Sequence, residues 1–365
     1  MWTSLPAVLF LIGTVCLLRV ECGHPATGTP TRSAPAVSLS ERTRTPPFRG
    51  LSFVAPPQPF GTDPMPAVRA VGANSIAVIP FAYTRPGQPR VHYDFAGGQW
   101  WGERPEGVRR TIELAHAAGL QVLLKPQVYV PGSWTGGLDF ETDEQWAAWE
   151  RDYAAYLLPF ADLARELEVA ALCVGTEFKR SAPRREAFWR GLIAEVRTRF
   201  DGQLTYAANW DAYPSVPFWD ALDAVGIDAY FPLDAATTPS VEQLIAAWQP
   251  WKKEIAAFQQ RVQKPIVFTE FGYLSVDGAA HETWELEKRV QTLPINEQAQ
   301  ANALAALFAT FWAEPWWQGG FLWKWFPNMR GHEGYPARDY TPQGKRAEAV
   351  LTDWYTPITS SATDE

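Results

Sequence analysis

Short apolar segments alternate with longer amphipathic segments over most of the chain. Apolar runs bounded by turn residues are typical of buried parallel strands, and the segments between them have the three- to four-residue spacing of helices. The predicted strands, eight in all, are Gly50–Ala55, Ser75–Tyr83, Gln121–Val128, Val169–Phe178, Leu204–Trp210, Ala224–Phe231, Pro265–Tyr273 and Gly319–Phe326.

Helical patterns occupy the intervals between these strands. They are predicted at Pro66–Val71, Arg104–Ala118, Asp143–Leu167, Ala182–Arg199, near Val216–Leu222, at Val241–Arg261 and at Asn296–Ala313. Alternation of this kind implies parallel strands with right-handed crossovers, and eight such units close a (β/α)₈ barrel. The alternative, an open doubly wound sheet, usually carries a glycine-rich phosphate-binding turn, and no such motif occurs in the sequence. We therefore predict a single-domain α/β protein of the TIM-barrel class.

The amino-terminal residues predict an export leader. Leu5–Leu18 is apolar, long enough for the core of a signal sequence and too short to span a bilayer comfortably. We assign residues 1–22 to this leader and expect an extracellular or envelope-associated protein. Cys22 resembles the anchor of a lipoprotein, so lipid attachment stays open as an alternative to free secretion.

Composition divides the rest of the chain into three parts. Residues 23–47 are rich in Pro, Ser, Thr and Arg and predict a disordered linker, whereas 48–355 carry the barrel pattern. Residues 356–365 predict a polar tail. Cys16 and Cys22 lie in the leader region, so the domain is left with Cys173 and no disulfide framework is expected. Cys173 is predicted to be a small buried hydrophobic residue.

Charge and aromatic content indicate which classes of ligand the protein is expected to bind. The net charge is −8 and the pI about 5.3, so no basic field attracts nucleic acid. The 18 Trp, 12 Tyr and 20 Phe residues exceed what a core needs, and exposed indoles commonly stack on sugar rings. Neither H-E-x-x-H nor G-x-S-x-G occurs, so we expect no metal, no cofactor and no serine triad. We expect a monomer without an integral membrane domain.

Two glutamates close predicted strands and are the strongest functional signal. Glu177 ends the fourth predicted strand and Glu270 the seventh. Carboxyl ends of barrel strands form the active sites of barrel enzymes, so both carboxyls are expected to face substrate. One protonated and one ionised carboxyl are what retaining glycoside hydrolysis requires. Either glutamate alone would more often be a surface charge, a helix cap or the partner of an arginine; their matching positions favour catalysis.

Strand alternation predicts which side chains share a face with these glutamates. It groups Cys173, Gly175 and Glu177 on one face of the fourth strand, and Phe268, Glu270 and Gly272 on one face of the seventh. In the eighth strand it groups Trp323 with Trp325 and sets Lys324 opposite.

Five segments make the chain resemble glycoside hydrolase family 113, a family of β-mannanases in clan A. They are Gly175–Glu177, Leu204–Asp211, Gly226–Phe231, Phe268–Tyr273 and Phe321–Phe326, and the resemblance spans roughly Phe48 to Tyr355. It implies a retaining, endo-acting hydrolase of β-1,4-mannosidic bonds, with Glu177 as general acid/base and Glu270 as nucleophile. Most of the clan has Asn before the acid/base, whereas this chain has Thr176.

Six further residues are candidates for binding substrate. The resemblance makes Trp323 the floor of the cleaved subsite, with barrel core as the alternative. Asn209 is expected to contact a sugar 2-hydroxyl or to serve as a turn residue, and Tyr230 to donate to Glu270. The others are Lys125, which a surface salt bridge would equally explain, Trp210 and Tyr273. Asp228 is either a structural acceptor or a sugar ligand. Platforms in outer subsites, or packing under loops, are expected for Trp100, Trp101, Trp134 and Trp210.

Two other functions stay open on the sequence alone. One is another β-glycosidase of clan A, such as an endo-β-1,4-glucanase or an exo-β-mannosidase, because barrels change specificity through their loops. The other is a catalytically silent carbohydrate-binding barrel. A β-linked polysaccharide or oligosaccharide is the expected ligand in each case.

Overall fold

A computed structural model describes residues 46–95, 98–328 and 336–357. Its strands are β1 (Phe48–Phe53), β2 (Ser75–Val78), β3 (Phe81–Tyr83), β4 (Gln121–Leu124), β5 (Gln127–Tyr129), β6 (Ala171–Thr176), β7 (Gln203–Asn209), β8 (Ala224–Asp228), β9 (Ile266–Phe271) and β10 (Trp317–Trp325). The predicted leader, almost all of the predicted linker and most of the predicted tail lie outside the described residues.

Eight of these strands form a closed barrel of parallel strands. Their order around the barrel is β1-β10-β9-β8-β7-β6-β4-β2, and the two ends meet between β1 and β2. This confirms the predicted (β/α)₈ class. The carboxyl ends of all eight strands therefore open on one face, where the predicted catalytic residues stand.

Two predicted strands are divided by proline. Pro80 separates β2 from β3, and Pro126 separates β4 from β5. Proline lacks the N–H that the hydrogen bonds of a sheet require, so each barrel strand ends before its proline. β3 and β5 instead pair with each other as a separate parallel two-stranded sheet, with Phe81 opposite Gln127.

The helices surround the barrel. They are α1 (Met65–Ala70), α2 (Pro105–Ala117), α3 (Asp143–Glu166), α4 (Ser181–Arg184), α5 (Glu186–Arg199), α6 (Val241–Val262), α7 (Thr283–Glu287), α8 (Glu297–Phe311) and α9 (Arg346–Tyr355). Capping boxes start α3 and α6, where Thr142 and Ser240 accept from the third residue of the helix. Within the described ranges, no helix has the length and apolar character needed to cross a membrane.

The helices differ from the prediction in several regions, among them α7, which was not predicted. The helix expected near Val216–Leu222 is wrong, because that interval holds the 3₁₀ turn Trp219–Ala221 and is preceded by a second 3₁₀ turn, Tyr213–Ser215. α9 was not predicted. This helix packs beside β1, where the hydroxyl of Tyr355 donates to the carbonyl of Gly50 at 3.0 Å.

The core has two layers separated by the barrel wall. The layer between wall and helices holds large side chains, whereas the barrel interior is filled mainly by smaller ones such as Ala77, Ala171, Ala207 and Val267. Cys173 belongs to this interior and is fully buried, which confirms its prediction as a small core residue.

The predicted sharing of strand faces is wrong in three strands, each of which contains one extra residue. In β6, three steps from Cys173 to Thr176 lie opposite two steps of β7. A Cβ at Gly175 would therefore approach Trp189 of the outer layer at 2.8 Å, so Gly175 does not share the interior face of Cys173.

The other two irregular strands behave in the same way. In β9, Phe268 packs on Phe311 in the outer layer, because an extra residue separates it from Glu270. In β10, Trp325 belongs to the outer layer and Trp323 packs on the interior, since an extra residue lies between Leu322 and Trp325 opposite β1. An extra residue of this kind, a β-bulge, redirects the side chains that follow it.

Candidate active site

Glu270 is held at the end of β9 by three hydrogen-bond donors. Lys125 Nζ donates to Oε1 at 2.5 Å, Gln127 Nε2 donates to the same oxygen at 2.8 Å, and the Tyr230 hydroxyl donates to Oε2 at 2.9 Å. Only 8% of Glu270 is exposed. All three partners act as donors here, which suits an ionised, acceptor-only carboxylate.

Of the three donors to Glu270, Tyr230 and Lys125 were candidate site residues on the sequence and Gln127 was not. Tyr230 donates to Glu270 as expected. The surface salt bridge considered for Lys125 is wrong, because this side chain is fully buried inside the barrel. Gln127 was missed, and its only sequence signal is its place directly after Pro126 at the end of a predicted strand.

Asp228 shares Lys125 with Glu270. Lys125 Nζ lies 3.2 Å from Asp228 Oδ1, and the Thr269 hydroxyl donates to the same oxygen at 2.8 Å. Burial and the neighbouring Glu270 raise the pKa of Asp228 to about 7, although Lys125 opposes the rise. Burial acts to lower the pKa of Lys125, but the charges of Asp228 and Glu270 outweigh it and raise that pKa. Asp228 is thus a structural acceptor that anchors the lysine.

Glu177 lies just beyond the end of β6 in a left-handed backbone conformation with φ of 56°. Its backbone N–H donates to the Ala207 carbonyl at 2.7 Å, which fixes the turn. Burial raises the pKa of the Glu177 carboxyl to about 8, and the charges of Asp228 and Glu270 add to the rise. The carboxyl is therefore protonated at neutral pH, as a general acid must be.

Trp134 contacts the acid directly. Its indole N–H donates to Glu177 Oε2 at 2.7 Å, and this bond acts to lower the pKa of Glu177. A Cβ at Gly136 would approach the indole at 2.3 Å, so glycine is needed for the ring to fold back over its own turn. Lys179 lies 5.8 Å from the centre of the same ring and pairs with Asp211 at 2.5 Å.

The charges of the site do not balance when every group is ionised. Glu177, Glu270 and Asp228 present three carboxyls to one buried ammonium, that of Lys125. Ionising all three would concentrate like charge at low dielectric, so the site favours retention of a proton. The raised pKa values of Glu177 and Asp228 place that proton on one of these two carboxyls. In the described part of the chain, no cluster of His, Cys, Asp or Glu has the arrangement of a metal site.

The remaining candidates differ in where they lie. Trp323 packs against the buried cluster of Leu274, Val276 and Tyr340, as Tyr230 does, and is joined to Lys324 by a cis peptide bond. Asn209 is partly exposed at the end of β7 and donates to Asp211 at 3.0 Å, in keeping with its alternative as a turn residue. Trp210 is partly buried and stacks on Trp284, 5.8 Å away between ring centres.

Tyr273, one of the proposed sugar contacts, is buried away from the cleft. It is 4% exposed and belongs to the layer between the barrel and the helices, beside Trp248 of α6. Buried there, it offers no aromatic face to a ligand in the cleft. Trp101 also packs under a loop, edge-on to Phe60 at 5.3 Å, whereas Trp100 and Trp134 are exposed.

Comparison with known proteins gives consistent matches. Residues 62–345 match the family model described as Glycoside Hydrolase Family 113. The solved structure of the GH113 β-mannanase AaManA from Alicyclobacillus acidocaldarius, in complex with ManMIm, is 29% identical and has a TM-score of 0.74, covering 86% of this chain and 98% of that one. A structure described as a GH113 β-1,4-mannanase is 27% identical with a TM-score of 0.71, covering 85% and 99%. A complex of a GH113 β-1,4-mannanase is 26% identical with a TM-score of 0.70, covering 84% and 98%. None of the curated proteins matches.

Proposed function

The chain belongs to glycoside hydrolase family 113, and from this premise we propose that it cleaves β-1,4-mannosidic bonds inside mannan-type polysaccharides. What supports the substrate is the description of three similar solved structures as β-mannanases, each matched over at least 84% of this chain. The resemblance predicted from the five sequence segments is confirmed at the level of the family. Endo action and the residue roles are proposals.

In the first chemical step, Glu177 gives its proton to the glycosidic oxygen as the bond to the anomeric carbon breaks. A carboxylate oxygen of Glu270 bonds to that carbon, which yields a glycosyl ester and a shortened sugar chain as the leaving alcohol. The observation that carries this assignment is the contrast between the two carboxyls. Glu177 has a pKa raised to about 8, whereas Glu270 accepts from three donors.

In the second step, water attacks the anomeric carbon and gives its proton to Glu177, and the bond to Glu270 breaks. Glu270 carries no charge while it is an ester, and its charge is one cause of the raised pKa of Glu177. The ester therefore lowers the pKa of Glu177, which then serves as the base. Lys125 faces one less negative charge in this state and stays paired with Asp228.

Two substitutions test the roles of the glutamates. Glu270→Gln is expected to lower turnover by at least about 10⁴-fold, since the nucleophile is lost. Glu177→Ala is expected to lose most activity on mannan and to recover part of it with azide on an activated aryl glycoside, because azide needs no general base. Glu144→Gln, an exposed substitution at the start of α3, is the matched control. Full activity of Glu270→Gln would refute the mechanism.

Stereochemistry provides an independent test of double displacement. Carboxyl groups about 5 to 5.5 Å apart leave no room for a water between nucleophile and sugar, so the configuration is retained. Proton NMR of the first product is expected to show the β-anomer. Initial α-anomer would exclude double displacement and leave the family membership intact.

The substrate is tested on a panel of insoluble and soluble polysaccharides. We expect release of oligosaccharides from mannan, and rates that rise steeply from mannobiose to mannohexaose as remote binding energy is used at the reacting bond. Equal rates on cellohexaose and mannohexaose would exclude the mannan preference. Release of mannose alone would show an exo-acting enzyme, and inactivity on the whole panel would favour a binding protein.

Export is part of the same proposal. It is supported by the apolar stretch Leu5–Leu18 and by a polymeric substrate that does not enter cells intact. Expression of the full chain, followed by detection of the processed protein in the medium or the envelope fraction, tests it. Retention of unprocessed protein in the cytoplasm would overturn it.

A further inference from the structure

One face of α3 directs two buried tyrosine hydroxyls to the strand ends that carry the two glutamates. Tyr153 and Tyr156 are three positions apart, so they project from the same side of the helix. Their exposed fractions are 0% and 2%. Both hydroxyls bond to backbone carbonyls, one just before Glu177 and one at Gln127, which is a donor to Glu270. Neither tyrosine takes part in the proposed chemistry.

Tyr153 contacts β6 at its bulge. The Tyr153 hydroxyl donates to the carbonyl of Val174 at 2.9 Å. Pairing of β6 with β4 ends at Leu172. Pairing with β7 passes from Cys173 to Thr176, so the register of the described strands gives Val174 no partner in either neighbour. A buried carbonyl outside a regular ladder needs another donor, and Tyr153 supplies it.

The ring of Tyr153 holds the chain on the other side of Glu177. It packs edge-on against Phe178, with the ring centres 5.3 Å apart. Trp149, one turn earlier in α3, stacks on Tyr153 and also meets Phe178 edge-on. The two ends of Tyr153 therefore fix the backbone before and after Glu177. This matters because Glu177 has a φ of 56°, a conformation that non-glycine residues adopt only where their surroundings impose it.

Tyr156 contacts the region where proline ends two barrel strands. Its hydroxyl oxygen lies 2.7 Å from the carbonyl oxygen of Pro80 and 3.2 Å from that of Gln127, so one proton is shared between them. The backbone N–H of Gln127 donates to the same Pro80 oxygen at 2.9 Å. Gln127 is thus fixed through its backbone, and its side-chain amide donates to Glu270 Oε1 at 2.8 Å.

We propose that these two tyrosines of α3 are positioning residues for the reaction. Tyr153 sets the direction of Glu177 through the bulge of β6. Tyr156 sets the direction of the Gln127 amide toward Glu270. This inference rests on the proposed glycosidase function. It makes one helix the common support of the acid and of the nucleophile, although both hydroxyls are buried away from substrate.

Removal of one hydroxyl at a time separates these roles from a general structural one. Phenylalanine keeps the ring and its packing, so Tyr153→Phe and Tyr156→Phe each lose hydrogen bonding alone. Tyr355→Phe is the matched control, because Tyr355 is 1% exposed and donates to a strand carbonyl, that of Gly50, at 3.0 Å. Gly50 lies opposite Ser75, the first residue of β2, toward the amino ends of the strands. Each variant is expected to lose about 2 to 5 °C of Tm.

Two aryl β-mannobiosides distinguish the two roles. 2,4-Dinitrophenolate leaves without a proton, whereas phenolate needs the proton of Glu177. For Tyr153→Phe, kcat/KM is expected to fall about 10- to 100-fold on the phenyl substrate and less than about threefold on the dinitrophenyl substrate. For Tyr156→Phe, both values are expected to fall by the same factor, about 5- to 50-fold, because each substrate needs Glu270. Tyr355→Phe is expected to change neither value.

The proposal is overturned if Tyr153→Phe lowers kcat/KM for both substrates by the same factor, or by no more than Tyr355→Phe does. It is equally overturned if Tyr156→Phe leaves both values unchanged. If Tyr153→Phe shows no cooperative thermal transition, the comparison of Tyr156→Phe with Tyr355→Phe decides.

Failure of the mannan assignment is recognised separately, in the wild type, which would then hydrolyse the two matching aryl cellobiosides faster. The same comparison is made with that pair, and the same outcomes apply. A measurement without turnover is the crystal structure of Tyr153→Phe, in which the bond from the Trp134 indole to Glu177 is expected to be lost. Retention of that bond at its present 2.7 Å would overturn the role of Tyr153.

Discussion

The raised pKa of Glu177 makes a definite prediction about stability. A carboxyl whose pKa is higher in the folded than in the unfolded protein contributes stability that is complete below the unfolded pKa and is lost as pH rises through the folded pKa. For Glu177 those two values are 4.5 and about 8. Glu177→Gln, which carries no ionisable group, does not undergo this loss. The variant is therefore expected to become progressively more stable than the wild type between pH 5 and pH 9.

The size of the effect follows from the same two values. The interval from 4.5 to about 8 corresponds to about 5 kcal/mol at about 1.36 kcal/mol per pH unit. This is an upper bound, because Glu177 is partly exposed and shares its field with Asp228 and Glu270. We expect about 2 to 4 kcal/mol. With an unfolding entropy of about 2.1 cal/mol/K per residue, roughly 300 residues convert 3 kcal/mol into about 5 °C of Tm.

Calorimetric melting of the wild type and Glu177→Gln at pH 5 and pH 9 measures this difference. Gln retains an oxygen that accepts from the Trp134 indole, so the contact at 2.7 Å is preserved and the charge alone is removed. Glu144→Gln is the matched control, since its side chain is exposed at the surface, and its Tm difference from the wild type is expected to vary by less than about 1 °C. A Tm difference between Glu177→Gln and the wild type that is the same at both pH values would refute the electrostatic reasoning.

Three further substitutions probe the groups around the two glutamates. Trp134→Phe removes the donor that lowers the pKa of Glu177, so the alkaline limb of the kcat/KM profile is expected to move to higher pH; an unmoved limb would contradict this. Lys125→Met leaves Glu270 and Asp228 buried without their cation, and chemical denaturation is expected to show a loss of about 3 to 5 kcal/mol. Tyr230→Phe removes one of three donors to Glu270, and kcat/KM is expected to fall about 10- to 100-fold with little change in Tm, whereas Tyr129→Phe at the exposed rim is expected to change neither.

The barrel and the pair of glutamates were predictable because their signals are local. Each barrel strand is a short apolar run between turn residues, and Glu177 and Glu270 come at the ends of two such runs. The proline divisions at Pro80 and Pro126 were visible in the sequence as well. Their consequence, a separate sheet formed by β3 and β5, depends on two segments far apart in the chain and was missed.

Contacts between distant residues account for most of what the sequence analysis missed. Lys125 meets Asp228 across 103 positions and Glu270 across 145, and no spacing rule connects residues at such separations. Trp134 was considered a sugar platform because its loop position was all that the sequence supplied; the bond to Glu177 depends on how that loop folds over Gly136. α9 was missed although Ala347, Leu351, Trp354 and Tyr355 have helical spacing and are buried.

The errors in strand faces fall on the strands that carry the chemistry, and this coincidence has a physical basis. β6, β9 and β10 each contain an extra residue just before or beside Glu177, Glu270 and Trp323. The pleated backbone of a strand alternates its side chains between the two faces, and packing puts large side chains outside and mostly small ones inside the barrel. A bulge interrupts this alternation, so the polar contacts of the side chain that follows the bulge can determine its direction. Glu270 thereby reaches three donors, Gln127 in β5, Lys125 just after β4 and Tyr230 just after β8. In a strand with regular alternation, a neighbouring side chain would face these donors instead. A one-residue deletion in β9 before Glu270 is thus expected to abolish activity even where the barrel still folds.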